Sequence, residues 1–346
     1  MYILKILHVT ESFGGGVTSA INTYVANSSQ FEHYLYATVR SNDATGEEDK
    51  GEFNSVYFPK RNINTLMDFY KTIKKVKPQV IHVHSAIAGF IIRLLPFISC
   101  PIIYTPHAYP FLRNDNHLKL KAYYFIEKIL SYRATAIAAC SADEARLAKV
   151  LNTNKPVFEL VNIAGELPVN NKKSIVEVNS KIKIGISGRV CEQKGVDFFI
   201  EVAKSIDDTC EFIWIGGGEE ELVNKLLENN IRVTGWLERE AVLEQLRLLD
   251  LFFYTAAWDG FPISVLEAAK LNIPLLLREI GPFKTENLFC VGTESQAVDI
   301  IEKFNEKDSH IMERLVTVTK EINTRHSTVT LKKQLNSLYL SFKGEN

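Results

Sequence analysis

The chain has 346 residues, enough for two domains of ordinary size, and its 46% apolar content is that of a soluble globular protein with a full core. A net charge of −1 argues against nucleic acid as a partner, and five scattered cysteines (Cys100, Cys140, Cys191, Cys210, Cys290) without a CxxC spacing argue against a disulfide scaffold or a cysteine zinc site and suit a reducing cytoplasm. Charge is uneven: residues 1–165 carry 18 Lys+Arg against 13 Asp+Glu, whereas residues 166–346 carry 22 against 28. That is either drift or a basic half facing an anionic partner.

The opening "MYILKILHVT" is too short for a signal peptide and reads as a first strand. Further strands are expected at "HYLYATV", "SVYFP", "VIHVHS", "PIIYTP", "TAIAACS" and "VFELVN", with helices between them, among them "VTSAINTYVANS" and "NTLMDFYKTIKKV". The apolar stretch 86–106 is interrupted by Arg93, Pro96 and Pro101, so it reads as a buried helix and a buried strand rather than a membrane span. Residues 166–180 are polar and aperiodic, a linker. The alternation then restarts with "KIKIGISG", "CEFIWIGGG", "IRVTGWL", "LDLFFYTA" and "IPLLLRE".

Such alternation with continuous apolar strands predicts α/β architecture, two doubly wound parallel sheets in tandem. The expected domains are 1–165 and 181–325, followed by a helix in 326–346 that could pack back on the first domain. Open parallel sheets bind ligands at the carboxyl ends of their strands, and two in tandem predict a cleft between the domains.

Five strand-end loops carry candidate chemistry. In "TESFGGGVTSA" (10–20), Gly14, Gly15 and Gly16 open a helix whose free N–H groups suit an anion; a bare tight turn is the alternative. A dinucleotide fingerprint fits poorly, because Ser19 replaces its last glycine and the next strand ends in Arg40 rather than an acid. In "IGISGRVCEQKGVDFF" (184–199), Arg189 and Lys194 follow Gly188 and could hold a diphosphate. "FIWIGGGEEELV" ends a strand at Gly216, Gly217 and Gly218, and Trp236 in "IRVTGWLERE" could wall a base pocket or simply pack.

The fifth loop lies in "AAWDGFPISVLEAAKLNIP" (256–274). Pro262 suits the first turn of a helix, so the N–H groups of Phe261, Ile263 and Ser264 would face outward. Asp259 stands before that terminus, as a helix cap or a ligand contact. Glu267, among apolar neighbours, needs a partner. His107 follows "PIIYTP" and could bond a hydroxyl or share the charge of a leaving group. His82 and His84 share a strand face and could ligate a metal, but no third ligand is placed, and no metal is expected.

Four of these stretches resemble the retaining glycosyltransferases of family 4 (glycosyl transferases group 1). They are "FGGGV", "GRVCEQKG" (similar to G-R-x-x-x-x-K-G), "VTGWL" and "DGFPISVLEAAKLNIP" (similar to E-G-F-P-x-x-x-L-E-A), in order across nearly the whole chain. The resemblance implies the GT-B fold of two Rossmann-like domains. It also implies roles. Arg189 and Lys194 would bind the nucleotide diphosphate, with Gly15, Gly16, Gly188 and Gly217 in the surrounding loops. Glu267 would hold the ribose, and Trp236 and Leu237 would border the base. Asp259 and the segment Phe261, Pro262, Ile263 and Ser264 would meet the donor sugar and its phosphate, and His107 would lie near the reacting carbon. Three departures stand out: Asp259 and Gln193 where the family usually has Glu, and "REIGPFKTEN" without its usual Gly-Gly.

The function so implied is transfer of a hexose from a nucleotide sugar, UDP-linked by preference, to a glycan or lipid-linked saccharide, with retention and without a metal or other cofactor. Polysaccharide assembly at the cytoplasmic face of a membrane is the expected setting. Residues 110–133 mix Lys119, Lys121, Lys128 and Arg133 with aromatic side chains; they form either a membrane-resting helix or a solvated one with its apolar face in the core. An epimerase of the same fold, or a non-catalytic subunit that binds sugar nucleotides, is the alternative.

Overall fold

Short runs of Val, Ile, Leu, Phe and Tyr form the strands, and the stretches between them carry the 3.6-residue period of helices. The computed structural model describes residues 3–38, 51–59, 64–167 and 181–343. Arg40 and positions 168–180 of the expected linker lie outside the described residues. The chain divides into two compact units, Met1–Ile163 with His326–Asn346, and Ala164–Arg325.

The first unit contains β1 (Lys5–Thr10), α1 (Gly15–Ala26), β2 (Glu32–Ala37), β3 (Ser55–Tyr57), α2 (Thr65–Val76), β4 (Val80–His84), α3 (Ala86–Leu94), β5 (Ile102–Thr105), α4 (His117–Ser131), β6 (Ala136–Ala139), α5 (Ala142–Leu151) and β7 (Val157–Glu159). Its seven strands are parallel, in the order β3-β2-β1-β4-β5-β6-β7. One face carries Leu7, Val9, Ile81 and Val83 against α2 and α3. The opposite face is covered by α1 and by a helix from the far end of the chain, α13 (Thr328–Leu340), whose Leu331, Leu335, Leu338 and Tyr339 are buried there.

The second unit contains β8 (Ile182–Ser187), α6 (Val196–Ser205), β9 (Cys210–Ile215), α7 (Glu220–Glu228), β10 (Arg232–Val233), α8 (Arg239–Arg247), β11 (Leu251–Tyr254), α9 (Ile263–Lys270), β12 (Leu275–Leu277), α10 (Gly281–Thr285), α11 (Glu294–Asn305) and α12 (Ser309–Arg325). Its parallel sheet runs β10-β9-β8-β11-β12. A single core of Trp214, Phe199, Phe252, Phe253 and their aliphatic neighbours fills it. Every strand segment read from the sequence contains a strand here; central strands such as β5 and β11, buried throughout, are near-continuous apolar runs.

Two readings need correction. Residues 86–106 do form a helix and a strand, but α3 is not a buried helix: Ile87, Phe90 and Leu94 face solvent, and Phe97 just beyond it is 94% exposed. α4 turns one apolar face inward, with Leu130 buried and Tyr124 against the core, but a second apolar stripe of Leu118, Phe125 and Ile129, continued by Tyr132 at its C-cap, points outward. No helix among the described residues is long and apolar enough to cross a membrane.

Candidate functional site

Each sheet reverses its strand order once, between β1 and β4 in the first unit and between β8 and β11 in the second. Loops leaving such neighbours part to opposite faces and open a crevice at the strand ends. In the second unit the two diverging loops are 188–195 and 255–260, and they are stapled together. Ala257 N donates to Gln193 O (2.9 Å), Gln193 Nε2 to Trp258 O (3.0 Å), and Thr255 Oγ1 to Lys194 O (2.8 Å). Gly195 makes the staple feasible. Its φ is +72°, and a Cβ there would overlap the Thr255 carbonyl.

Lys194 and Asp259 meet at this staple. Lys194 Nζ donates to Asp259 Oδ2 at 2.7 Å and to the Tyr254 hydroxyl at 3.0 Å; Tyr254 in turn donates to Asp259 Oδ2 at 2.6 Å, and Gly260 N to Oδ1 at 2.8 Å. Both charged side chains are 17% exposed. Burial pushes the Asp259 carboxyl up, but the Lys194 charge and the hydrogen bonds from Lys194, Tyr254 and Gly260 outweigh it and hold the pKa below the usual range. Burial first, then the Asp259 charge, raises the Tyr254 phenol well above its ordinary value. Asp259 is therefore not the cap of α9. Pro262 occupies the N-cap position, one residue earlier than the first-turn placement read from the sequence. Arg189 is exposed and makes no ion pair among the described residues.

Glu267 is 5% exposed on α9. Its partner is Arg239 at the start of α8, Nη1 to Oε1 2.7 Å. The contact lies off the axis of a hydrogen bond, so Oε1 is charge-compensated yet has no aligned donor. Burial raises the Glu267 pKa, and Arg239 only partly offsets it. Trp236 is 68% exposed, with its indole against Gly217, where a Cβ would come within 2.9 Å of the ring. Leu237 packs on the core below. Phe261 and Pro262 are buried, while Ile263 and Ser264 are half-buried.

In the first unit Gly15 and Gly16 are exposed at the start of α1, whose first turn carries no acidic side chain. His107 follows β5 on strained backbone, with φ of 51° at His107 and 84° at Ala108. Ala108 N is held by Glu144 Oε1 (2.8 Å), whose Oε2 takes Cys140 N (2.8 Å); burial lifts this carboxyl to about 7. His107 Nε2 lies 3.2 Å from His84 Nδ1. His8, His82 and His84 each offer a ring nitrogen within 4.8 Å of the others. His8 thus supplies the third ring that the sequence did not place. These nitrogens are already taken up in hydrogen bonds: His82 with Tyr339 and Thr105, His8 with His33 and His84, and His84 with His8 and His107.

Sequence reading missed Tyr254, Arg239, His8 and His33. Tyr254 hid at the end of an apolar run, and Arg239 on a charged surface helix. For His8 and His33 the visible signal was a histidine inside a strand otherwise built of apolar residues.

Residues 170–287 match the family model described as glycosyl transferases group 1, and residues 13–156 match the model of glycosyltransferase family 4. An uncharacterised 41.2 kDa protein in the cps region of Klebsiella pneumoniae is 28% identical, covering 80% of this chain and 82% of its own length. The UDP-Gal:alpha-D-GlcNAc-diphosphoundecaprenol alpha-1,3-galactosyltransferase of Escherichia coli is 24% identical over 64% of this chain and 63% of its own. Among solved structures, Anabaena HepE in complex with UDP-glucose superposes with a TM-score of 0.75, over 98% of this chain and 100% of that one, at 15% identity.

Proposed function

The chain belongs to glycosyltransferase family 4, and from that premise we propose that it moves a hexose from a UDP-sugar to a lipid-linked saccharide, with retention of configuration, during surface-polysaccharide assembly. The observation that carries this reading is the stapled pair of loops at the β8/β11 reversal. They hold Lys194 against Asp259 beside the N-terminus of α9, with Glu267 on the same helix lacking an aligned donor. A nucleoside diphosphate leaving group needs fixed positive ends as its charge develops. Arg189, free of ion pairs among the described residues, and Lys194 would supply them, together with the N–H groups opening α9. Glu267, carried on α9 with Arg239 beside it, would hold the ribose, and the exposed indole of Trp236 suits a base. The sugar–phosphate bond then breaks through an oxocarbenium-like state, with front-face delivery of the acceptor accounting for retention. The positive groups are the chain's own, so no metal or other cofactor is required.

The acceptor side is supported by α3 and α4. Their outward apolar side chains Phe90, Leu94, Phe125 and Ile129, with Phe97 just past α3, are joined by the exposed Lys121 and Lys128 of α4 and by Arg133 just past it, the arrangement of an interfacial surface for anionic lipid. The names of two relatives contain a diphosphoundecaprenol and a diacylglycerol, both lipids. We read the working location as the cytoplasmic side of a membrane.

Incubation with a panel of sugar nucleotides, with free nucleotide as the readout and a lipid-linked saccharide as acceptor, tests the transfer. Release of UDP from one donor that rises with acceptor is expected. No release from any nucleotide sugar would overturn it. Flotation with anionic vesicles tests the surface, and absence of binding at low salt would refute it.

A further inference from the structure

We propose that a chain of three buried histidines, His33, His8 and His84, sets the tautomer of His107, placing its proton on Nε2 and leaving Nδ1 as the acceptor nitrogen. The four rings are linked end to end: His33 Nδ1 to His8 Nε2 at 3.0 Å, His8 Nδ1 to His84 Nε2 at 3.0 Å, and His84 Nδ1 to His107 Nε2 at 3.2 Å. They come from β2, β1, β4 and the loop after β5, side by side in the parallel sheet.

The inner end fixes the direction. His33 Nε2 lies 3.0 Å from Ser28 O and 3.0 Å from Ser28 Oγ. A carbonyl only accepts, and the Ser28 hydroxyl gives its own proton to Tyr24 O at 2.6 Å. Both atoms can therefore only accept from His33, and His33 Nε2 carries the proton. In a neutral ring its Nδ1 is then an acceptor, so His8 Nε2 must donate. The same step repeats at His84 and again at His107. One carbonyl thus places a proton on Nε2 of all four rings.

The argument needs neutral rings, and the surroundings keep them so. His8 and His84 are fully buried, and burial first, then neighbouring rings, lowers both well below the ordinary imidazole value; burial takes His33 down to about 4. Among the described residues no carboxylate bonds to His33, His8 or His84. His82 is bonded to Tyr339 and Thr105, Tyr24 stacks flat on His82, and the Glu144 carboxylate is engaged by the amides of Ala108 and Cys140. A proton added inside the row would reverse every ring outward of it. Its positioning residues are thus His84, His8 and His33, each acting through the next.

The functional weight of this rests on the reading of His107 as a contact to the donor sugar; the tautomer itself does not. The test is a two-bond 1H–15N spectrum of full-length protein carrying 15N-histidine, at pH 7, with rings assigned by single substitutions. The Nε2–H pattern is expected at all four rings, and Nδ1–H or a mixture at His107 overturns the proposal. His8→Phe removes the acceptor for His84, so His84 and then His107 should switch to Nδ1–H; a folded variant that leaves His107 as Nε2–H also overturns it. His33→Phe repeats the test one ring deeper should His8→Phe not fold. Transfer activity measured alongside separates the two ideas. A switched tautomer with unchanged activity supports the chain and removes His107 from the donor reading.

Discussion

Tyr254→Phe removes one hydroxyl and nothing else. The ring is fully buried, lies edge-on to Phe283 at 5.8 Å and loses no packing. What goes is the bond to Asp259 (2.6 Å) and the acceptor for Lys194 (3.0 Å). Hydrogen bonds to charged groups contribute about 1.5–3 kcal/mol each. Asp259 keeps Lys194 and Gly260, and Lys194 keeps Asp259, so the net loss should be about 2 kcal/mol, near the lower end of that range. For a unit of this size that is a fall in Tm of about 4–8 °C. Loosening Lys194 should also lower kcat/KM by roughly tenfold. The pH dependence has a definite sign. A carboxylate whose pKa is depressed on folding stabilises the protein above its unfolded pKa and loses that contribution as pH falls through the folded value. Asp259 is such a group. The gap between wild type and Tyr254→Phe should therefore be full at neutral pH and narrow only in the acid limb. Urea and thermal unfolding from pH 7 down to about pH 2.5, below the ordinary carboxylate value, beside steady-state transfer, measure all three. A variant within about 1 °C of wild type at pH 7, well under the shift expected for one lost charged bond, would show that the hydroxyl does not hold the pair.

Other substitutions separate site from scaffold. Arg189→Ala with Lys194→Ala should cost more than roughly 10²-fold in kcat/KM, the scale of losing preorganised donors, and near wild-type transfer rules out their role. Gly195→Ala should impair activity more than its unfolding midpoint suggests, because the φ of +72° and the Thr255 carbonyl force the staple itself to move; parallel kinetics and circular dichroism decide. Arg239→Gln should raise the Glu267 pKa further, since burial already raises it and Arg239 opposes that. The acid limb of the kcat/KM profile then moves to higher pH, and an unmoved limb counts against Glu267 as a carboxylate ligand. Glu127→Ala strands the Arg93 guanidinium, which pairs with it at 2.9 Å with both side chains almost wholly buried. About 3–5 kcal/mol of stability should be lost, against much less for an exposed pair such as Lys303 with Asp299.

Much of this protein is local and therefore legible in its sequence. A buried parallel strand such as β11, LFFY, announces itself by consecutive apolar residues, and a loop such as 188–195 by its Gly, Arg and Lys. The loop positions of Lys194, Asp259 and Trp236, and the place of Glu267 on the helix after its loop, follow from that pattern alone. The direction in which α4 turns does not. Its sequence carries apolar residues on two faces, one with Leu130 inward and one with Phe125 and Ile129 outward, and periodicity cannot say which face the sheet covers.

Partners could not be read either, because strand order in a doubly wound sheet is not chain order. Placing β1 beside β4 sets His8 next to His84, 76 residues away, and placing β8 beside β11 sets Lys194 against Asp259, 65 residues away. The amino-acid sequence determined which residues stand at the strand ends. Only the tertiary structure decided which of them meet, because a buried charge or imidazole must take its hydrogen bonds from whichever strand the sheet brings alongside.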